Sequence, residues 1–274
     1  MFTFAAMVSK SFDINTTGLQ PFEPSEKRLI VEVSPESVSV ILLNKLEGIP
    51  EGVEIFNGTH DETEDWEAMV QQSRLMGLAD LETLVVIAYP HMLPIPASLY
   101  TPESAKAQME LFFGFKQGCY ASGDVLEEHD MVIAWQIPQK VQDFLSGHFQ
   151  LLQVKHLVTL LMANSKITSP AEGRVVLYGN LGWIVLWLDG KVQIAKSVAF
   201  VKPDDLSWHL LNLCRQFNLE PTAVNWKVSG MAEASSPLWH AITRFLDPVE
   251  AMDAGVAVQE ELPGHYFAHL FSPV

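Results

Sequence analysis

Of the nine histidines in this 274-residue chain, only His265 and His269 lie close in sequence. On a helix they would share a face and could ligate a metal ion. The segment that carries them, His265 to Phe271, reads equally as a strand or as an aromatic end piece. A second set of chemical groups is the acidic run Asp61-Glu62-Thr63-Glu64-Asp65. Asp61 and Glu64 have capping-box spacing, and carboxylates favour a helix N-terminus, so the run reads as a solvated first turn and not as a metal site. Cys119 and Cys214 have no histidine nearby in sequence to activate a thiol. They fall in different halves of the chain, with Cys214 on a helix face meant for the core, so no structural disulfide is expected. No glycine-rich loop ends in lysine, no GxGxxG follows a strand, and neither a Gly-X-Ser-X-Gly elbow nor a Cys-X-X-Cys pair is present. No catalytic, cofactor-binding or metal-ligating residue is assigned, and no cofactor is expected.

The elements that would position any site repeat. From Arg174 to Met231 the chain spells strand, strand, strand, helix, strand. Val175 to Leu177 and Trp183 to Leu188 are apolar on both faces, as in a covered central sheet. Asp189-Gly190 is a two-residue turn signal joining antiparallel neighbours, and Val192, Ile194 and Val198 to Val201 continue the meander. Asp204 is the expected cap of a helix whose apolar positions are Leu206, Leu210, Leu213, Cys214 and Phe217, with Asn218 and Pro221 ending it. Ala223 to Val228 returns as a parallel strand. Ser236-Pro237 starts another helix, with Leu238, Trp239, Ile242, Phe245 and Leu246 on its buried side.

The same order is read earlier. Leu29 to Val33, Val38 to Leu43 and Gly52 to Phe56 are strands. A helix buries Trp66, Met69, Val70 and Met76 and ends at Gly77, and Leu84 to Ala88 returns. Residues 1–26 read as a lead-in, broken by Gly18, Pro21 and Pro24. Between the copies, Pro90, Pro94 and Pro96 keep the chain extended, Thr101-Pro102-Glu103 starts a helix ending near Gly114, and Gly118 to Asp130 is loop-like. Met131 to Ile137 is a strand, Pro138 opens a helix, Phe149 to Val154 is strand-like and His156 to Ala163 helical. Asn164 to Gly173, polar with a proline, is the linker candidate. The tail carries one strand-like piece, Val256 to Gln259. Domains over 1–168, with an inserted segment near 90–130, and over 169–274 follow.

At 48% hydrophobic and 18% charged the chain can bury a large core. A formal net charge of −16 repels phosphate backbones, which argues against nucleic acid as a partner. Apolar runs fall short of a bilayer span, and the start lacks the pattern of a secretory signal, so a cytoplasmic location is expected. The Asn15 and Asn57 sequons would matter only in a secretory pathway. Trp183, Trp187, Trp208, Trp226 and Trp239 crowd the second half, mostly as core, and any exposed pair would mark a contact surface.

The duplicated strand, strand, strand, helix, strand, helix plan resembles the actin-like ATPase superfamily, which includes sugar kinases, chaperones, actin and the actin-like pilus-assembly proteins. Ile133 to Gln139 before a helix, and Leu186 to Phe200, look like the pilus-assembly branch. The whole layout resembles a bacterial domain-of-unknown-function family with an actin-like fold. The resemblance implies an α/β fold of two ribonuclease-H-like domains, with mixed five-stranded sheets flanked by helices.

It also marks three turns where superfamily members hold Mg²⁺ and nucleotide, through an acid at the strand end and glycine amides against phosphate. In Glu32-Val33-Ser34-Pro35-Glu36-Ser37, proline removes a donor, no glycine lets the backbone approach, and Glu36 would face the phosphates. Tyr178-Gly179-Asn180-Leu181-Gly182 keeps its glycines without an acid. Val228-Ser229-Gly230-Met231 keeps one of two glycines, and Met231 would crowd an adenine. The favoured reading is a degenerate, non-catalytic actin-like protein acting as a protein-interaction or scaffold module. The alternative is an ATP-binding or phosphotransfer protein whose phosphate turns have drifted.

Overall fold

The structure, a computed structural model, describes residues 9–15, 22–58, 63–114, 117–163, 167–253 and 263–271. The chain divides into two units, one of residues 1–91, 101–124 and 134–157, the other of 92–100, 125–133 and 158–274. The architecture is α/β, each unit built on one large sheet.

In the first unit, β1 (Ser9–Asn15), β2 (Lys27–Val33), β3 (Ser37–Asn44) and β4 (Ile49–Asn57) precede α1 (Thr63–Gln72) and β5 (Glu82–Ile87). The pairs β2–β3 and β3–β4 are antiparallel, and after the helix β5 returns parallel to β2, with Leu29 opposite Thr83. A parallel return needs a crossover long enough to span the sheet, and α1 supplies it.

The chain continues through β6 (Met92–Pro96), α2 (Pro102–Phe113), β7 (Cys119–Leu126), β8 (Met131–Pro138), α3 (Gln139–His148) and β9 (Leu151–His156). The large sheet has the order β1-β4-β3-β2-β5-β9, and a three-stranded sheet has the order β6-β8-β7. Trp66 of α1 is fully buried and stacks on Phe144 of α3 with ring centroids 4.4 Å apart.

The second unit adds α4 (Leu157–Ala163), β10 (Ala171–Tyr178), β11 (Leu181–Leu188), β12 (Lys191–Ala199), α5 (Pro203–Gln216), β13 (Asn225–Gly230), α6 (Pro237–Thr243) and β14 (Val249–Ala251). Its sheet has the order β12-β11-β10-β13-β14, antiparallel through the meander and parallel where β13 rejoins β10. Val175, Leu177, Ile184, Leu186 and Val228 pack with Leu206, Leu210, Leu213 and Cys214 of α5. Alternation puts Val176, Trp183, Val185 and Trp187 on the opposite face, where they are also buried, so both faces are covered. Asp189 and Gly190 both take positive φ, 50° and 73°, as the two-residue hairpin turn requires.

Several expectations are corrected. Residues 9–15 are not a lead-in: β1 pairs with β4 and makes the first sheet six-stranded, with Ile14 buried and Ser9, Ser11 and Asp13 facing out. Residues 119–126 form β7 and not a loop, because pairing with β8 overrides the weak strand signal of its glycine and polar residues. Helix α1 stops at Gln72, short of Gly77, where the amides of Arg74 and Leu75 turn to the buried carboxylate of Glu54 at 3.1 and 3.4 Å. On α5 the capping side chain is Asp205, not Asp204. Its Oδ2 accepts from the N–H groups of Val201 and Lys202 at 3.0 and 2.8 Å, which holds its carboxyl below the usual pKa. Phe245 is exposed, whereas Leu246, also past the end of α6 at Thr243, is buried as expected. Glu172 and Gly173, read as linker, lie inside β10. Asp61 with its capping box, the strand-like piece at 256–259 and residues 164–166 lie outside the described residues.

His156, at the end of β9, is fully buried. Its Nε2–H donates to Tyr89 O at 3.0 Å, and its backbone N–H donates to Asp124 Oδ2 at 2.6 Å. Burial lowers the imidazole pKa to about 4 against the opposing pull of the Tyr89 carbonyl. Between that value and the ordinary 6.5 the unfolded chain binds the extra proton and the folded chain does not, so this histidine lowers stability as the pH falls through that window. Urea unfolding at pH 7 and pH 5 is expected to show a loss of about 2 kcal/mol from this group, at roughly 1.4 kcal/mol per pH unit. His156→Gln, which keeps a donor for Tyr89, removes that part of the slope. An unchanged slope in the variant would refute the assignment.

Candidate functional site

The first marked turn joins β2 to β3. Ser34 N–H donates to Ser37 O at 2.9 Å, while the amides of Ser37 and Glu36 both point at Ser34 Oγ, at 3.0 and 3.4 Å. The two hydroxyls, Ser34 and Ser37, lie 2.8 Å apart. Pro35 has no donor, so the amides that could cradle a phosphate are already held by a serine of the turn itself. Glu36 is exposed, and its carbonyl accepts from Gly58 at 2.9 Å.

The second marked turn is a hairpin. Tyr178 faces Leu181 across Gly179-Asn180, and Gly179 takes φ +53°. A Cβ on Gly182 would meet side chains no closer than 3.4 Å, an ordinary contact, so space does not demand glycine there. The third turn, after β13, is different. Gly230 has φ +92°, and a Cβ there would stand 2.3 Å from the Leu177 carbonyl oxygen and 2.6 Å from its nitrogen. Met231 N–H donates to that same carbonyl at 2.9 Å. This glycine exists for the contact between β13 and β10.

The second and third turns are bridged by the chain's C-terminal segment. Two 3-10 turns, Gly264–Tyr266 and Ala268–Leu270, place His269 between Tyr178 and Ser229. All three side chains are buried. Ser229 Oγ donates its proton to the carbonyl of His265 at 2.6 Å, since a carbonyl can only accept. His269 Nδ1–H therefore donates to Ser229 Oγ at 2.7 Å, and Nε2 accepts from Tyr178 O–H at 3.0 Å. A nucleophilic serine needs a base to take its proton, and here the proton runs the other way. His265 Nε2–H is engaged as well, donating to Ala232 O at 2.8 Å. Phe267, Ala268 and Leu270 are buried between these polar contacts.

The two histidines that sequence spacing pairs are thus each directed to other partners. Among the described residues, no three His, Cys, Asp or Glu side chains are arranged to hold a metal ion. Cys119 and Cys214 are free thiols, and burial raises the pKa of Cys214, which disfavours its reactive thiolate. Glu64 is exposed on the first turn of α1. Of the five tryptophans in the second half, Trp183, Trp187 and Trp226 are fully buried and Trp239 partly, whereas Trp208 is exposed.

Two fully buried carboxylates, Glu54 and Glu172, were not singled out from sequence. Glu54 accepts from Lys10 Nζ at 2.9 Å and from the Ser73 hydroxyl, and Glu172 accepts from Arg174 Nε at 3.0 Å and Lys227 Nζ at 3.2 Å. The signal was present, for Glu172 lies two residues from Arg174 inside an apolar strand.

The repeated meander, helix and parallel return define an actin-like ATPase fold. A Bacteroides thetaiotaomicron protein with actin-like ATPase fold and unknown function superposes with a TM-score of 0.74, at 14% identity, over 91% of this chain and 96% of that one. The PilM-PilN type IV pilus biogenesis complex gives 0.59 at 13% identity, covering 89% and 97%. The ethanolamine utilization protein EutJ from Carboxydothermus hydrogenoformans gives 0.51 at 10% identity, covering 94% and 91%. By sequence, residues 16–249 match the model of the family described as protein of unknown function (DUF3822), and the chain belongs to that family. No curated protein matches the chain.

Gly230→Ala is expected to destabilise by about 3 kcal/mol or more, because it combines a positive φ with a backbone clash. Gly190→Ala, at φ +73° with nothing within 4 Å, should cost about 1 kcal/mol. Urea midpoints for the two variants check the contrast, and equal losses would refute it. His269→Ala removes a buried imidazole with its hydrogen bonds and should cost about 2–4 kcal/mol by the same measurement.

Proposed function

We propose that this protein is a non-catalytic actin-like fold that acts by binding another protein, with no nucleotide, metal or other cofactor in its working cycle. The observation that carries the reading is that the groups a nucleotide would need are spent internally. The Ser34 hydroxyl holds the amides of the first turn, and His269 spans Tyr178 and Ser229. The acid is misplaced in the first marked turn, which has no glycine, and absent from the second, so neither sets a carboxylate for a hydrated Mg²⁺ beside glycine amides.

Further support is coarser. A neighbour of the same fold was solved as a complex, PilM with PilN, which fits a role as a partner-binding module. The net charge of −16 disfavours nucleic acid. No helix among the described residues is long and apolar enough to cross a membrane. The partner on this reading is a protein met in the cytoplasm.

Thermal unfolding with millimolar Mg-ATP tests the reading against an ATP-binding or phosphotransfer role. A ligand at a hundred times its Kd adds about 2.7 kcal/mol, a shift of several degrees. We expect no change in Tm and no saturable heat by calorimetry. A rise with Mg-ATP that exceeds the effects of Mg²⁺ and of triphosphate alone would overturn the proposal.

A further inference from the structure

The second unit carries an unpaired cation beside an exposed apolar pair. Lys196 lies on the end strand β12, opposite Ile184, so it points to the α5 side of the sheet. It is half-buried, and burial lowers its pKa. The other buried or half-buried cations among the described residues are held by carboxylates: Lys10 by Glu54, Lys27 by Glu51, Arg28 by Glu82, Lys155 by Asp124, and Arg174 and Lys227 by Glu172. Lys196 has no ion pair and no side-chain hydrogen bond among the described residues, in a chain with 33 acidic residues against 17 lysines and arginines. Leaving a partly desolvated amine without a counter-charge is unfavourable, and acids were available to fill the place.

Its neighbours complete a surface. On α5, His209 sits close enough that burial, and then the charge of Lys196, lower its pKa, against an opposing pull from Asp205. Asp205 is occupied by the amides of Val201 and Lys202. The ring of His209 meets that of Trp208 edge-on at 5.1 Å. Trp208 is 61% exposed, although the helix buries Leu206, Leu210 and Leu213, and it lies on the turn after Asp205. Val201, tied by its N–H to Asp205, is 90% exposed. An amine that lacks a carboxylate and an indole that lacks a cover suit one partner surface, with an acid set beside an apolar side chain.

We propose that Lys196, His209, Trp208 and Val201 form the docking site for a segment of a partner protein that presents an Asp or Glu carboxylate next to an apolar residue. A basic segment would meet Lys196 with like-charge repulsion. The inference rests on the reading of the chain as a protein-binding module.

NMR of the full chain tests it with the peptide acetyl-Leu-Glu-Leu-amide, its Gln counterpart, and inorganic phosphate. The Glu peptide at millimolar concentration is expected to shift the Trp208 indole, the His209 ring and the Lys196 side chain saturably. Affinity should fall at least fivefold with the Gln peptide, with Lys196→Met and with Trp208→Ala, and weaken with added salt. These positions are exposed or half-buried, and an unchanged Tm confirms that each variant is folded. Equal binding of the two peptides, undiminished binding by Lys196→Met, no saturable shift at all, or an equal response to phosphate overturns the proposal. A thermal response to Mg-ATP would instead overturn the non-catalytic reading and leave the peptide result standing.

Discussion

In each unit the strand that opens the repeat lies parallel to the strand that follows the crossover helix, and the remaining elements are arranged around that pair. The two pairs end in the same way. Ala88 N–H donates to Val33 O at 2.8 Å in one unit, and Met231 N–H donates to Leu177 O at 2.9 Å in the other. A central parallel pair has to be covered on both faces, which is why Leu29 to Val31 of β2, Leu84 to Ile87 of β5, Val175 to Leu177 of β10 and Trp226 and Val228 of β13 are apolar and buried. In the second unit the pairing also fixes where no side chain fits. Trp226 on β13 lies over Gly173 on β10, where a Cβ would come within 2.2 Å of its ring, and Gly230 repeats the constraint against backbone.

Two acids buried in the sheets act as charged anchors. Glu54 and Glu172 have fully buried side chains, and each joins two cations: Lys10 and Arg74 for the first, Arg174 and Lys227 for the second. A buried carboxylate with its partners in place is near neutral in net stability, but one stripped of a partner costs several kcal/mol. Such groups work chiefly as registration points. Glu54 holds the outer strand β1 through Lys10 and ends α1 by drawing off two amides, while Glu172 ties β10 to β13 through Lys227.

The repeat was legible in the sequence because strands covered on both faces leave unbroken apolar runs, and an amphipathic helix between two of them leaves few topologies. β1 and β7 were not legible. Their sequences, Ser9 to Asn15 and Cys119 to Leu126, are polar enough that only the neighbouring strand makes them regular. The helix boundary at Gln72 depends on Glu54, a residue from another element, and no local signal carries that. The same holds for the site. Tyr178 and His269 are 91 residues apart, and Ser229 and His269 are 40 apart, so no spacing motif could join them. Trp208 could have been placed from sequence, since the helical period sets it opposite Leu206, Leu210 and Leu213.

The division of the chain into interleaved pieces bears on the order in which it can fold during synthesis. The first unit is complete once residue 157 has emerged, but segments 92–100 and 125–133 belong to a unit whose sheet runs from β10 to β14. At ribosomal rates of about 5–20 residues per second, the stretch from β9 to β13 takes roughly 4–15 s. Through that interval Met92, Ile95, Leu126 and Val132, all buried in the finished protein, belong to a unit whose main sheet is still being made. His269 emerges later still, 40 residues after Ser229, so Tyr178 and Ser229 acquire their shared partner only after β13 and β14 have been made.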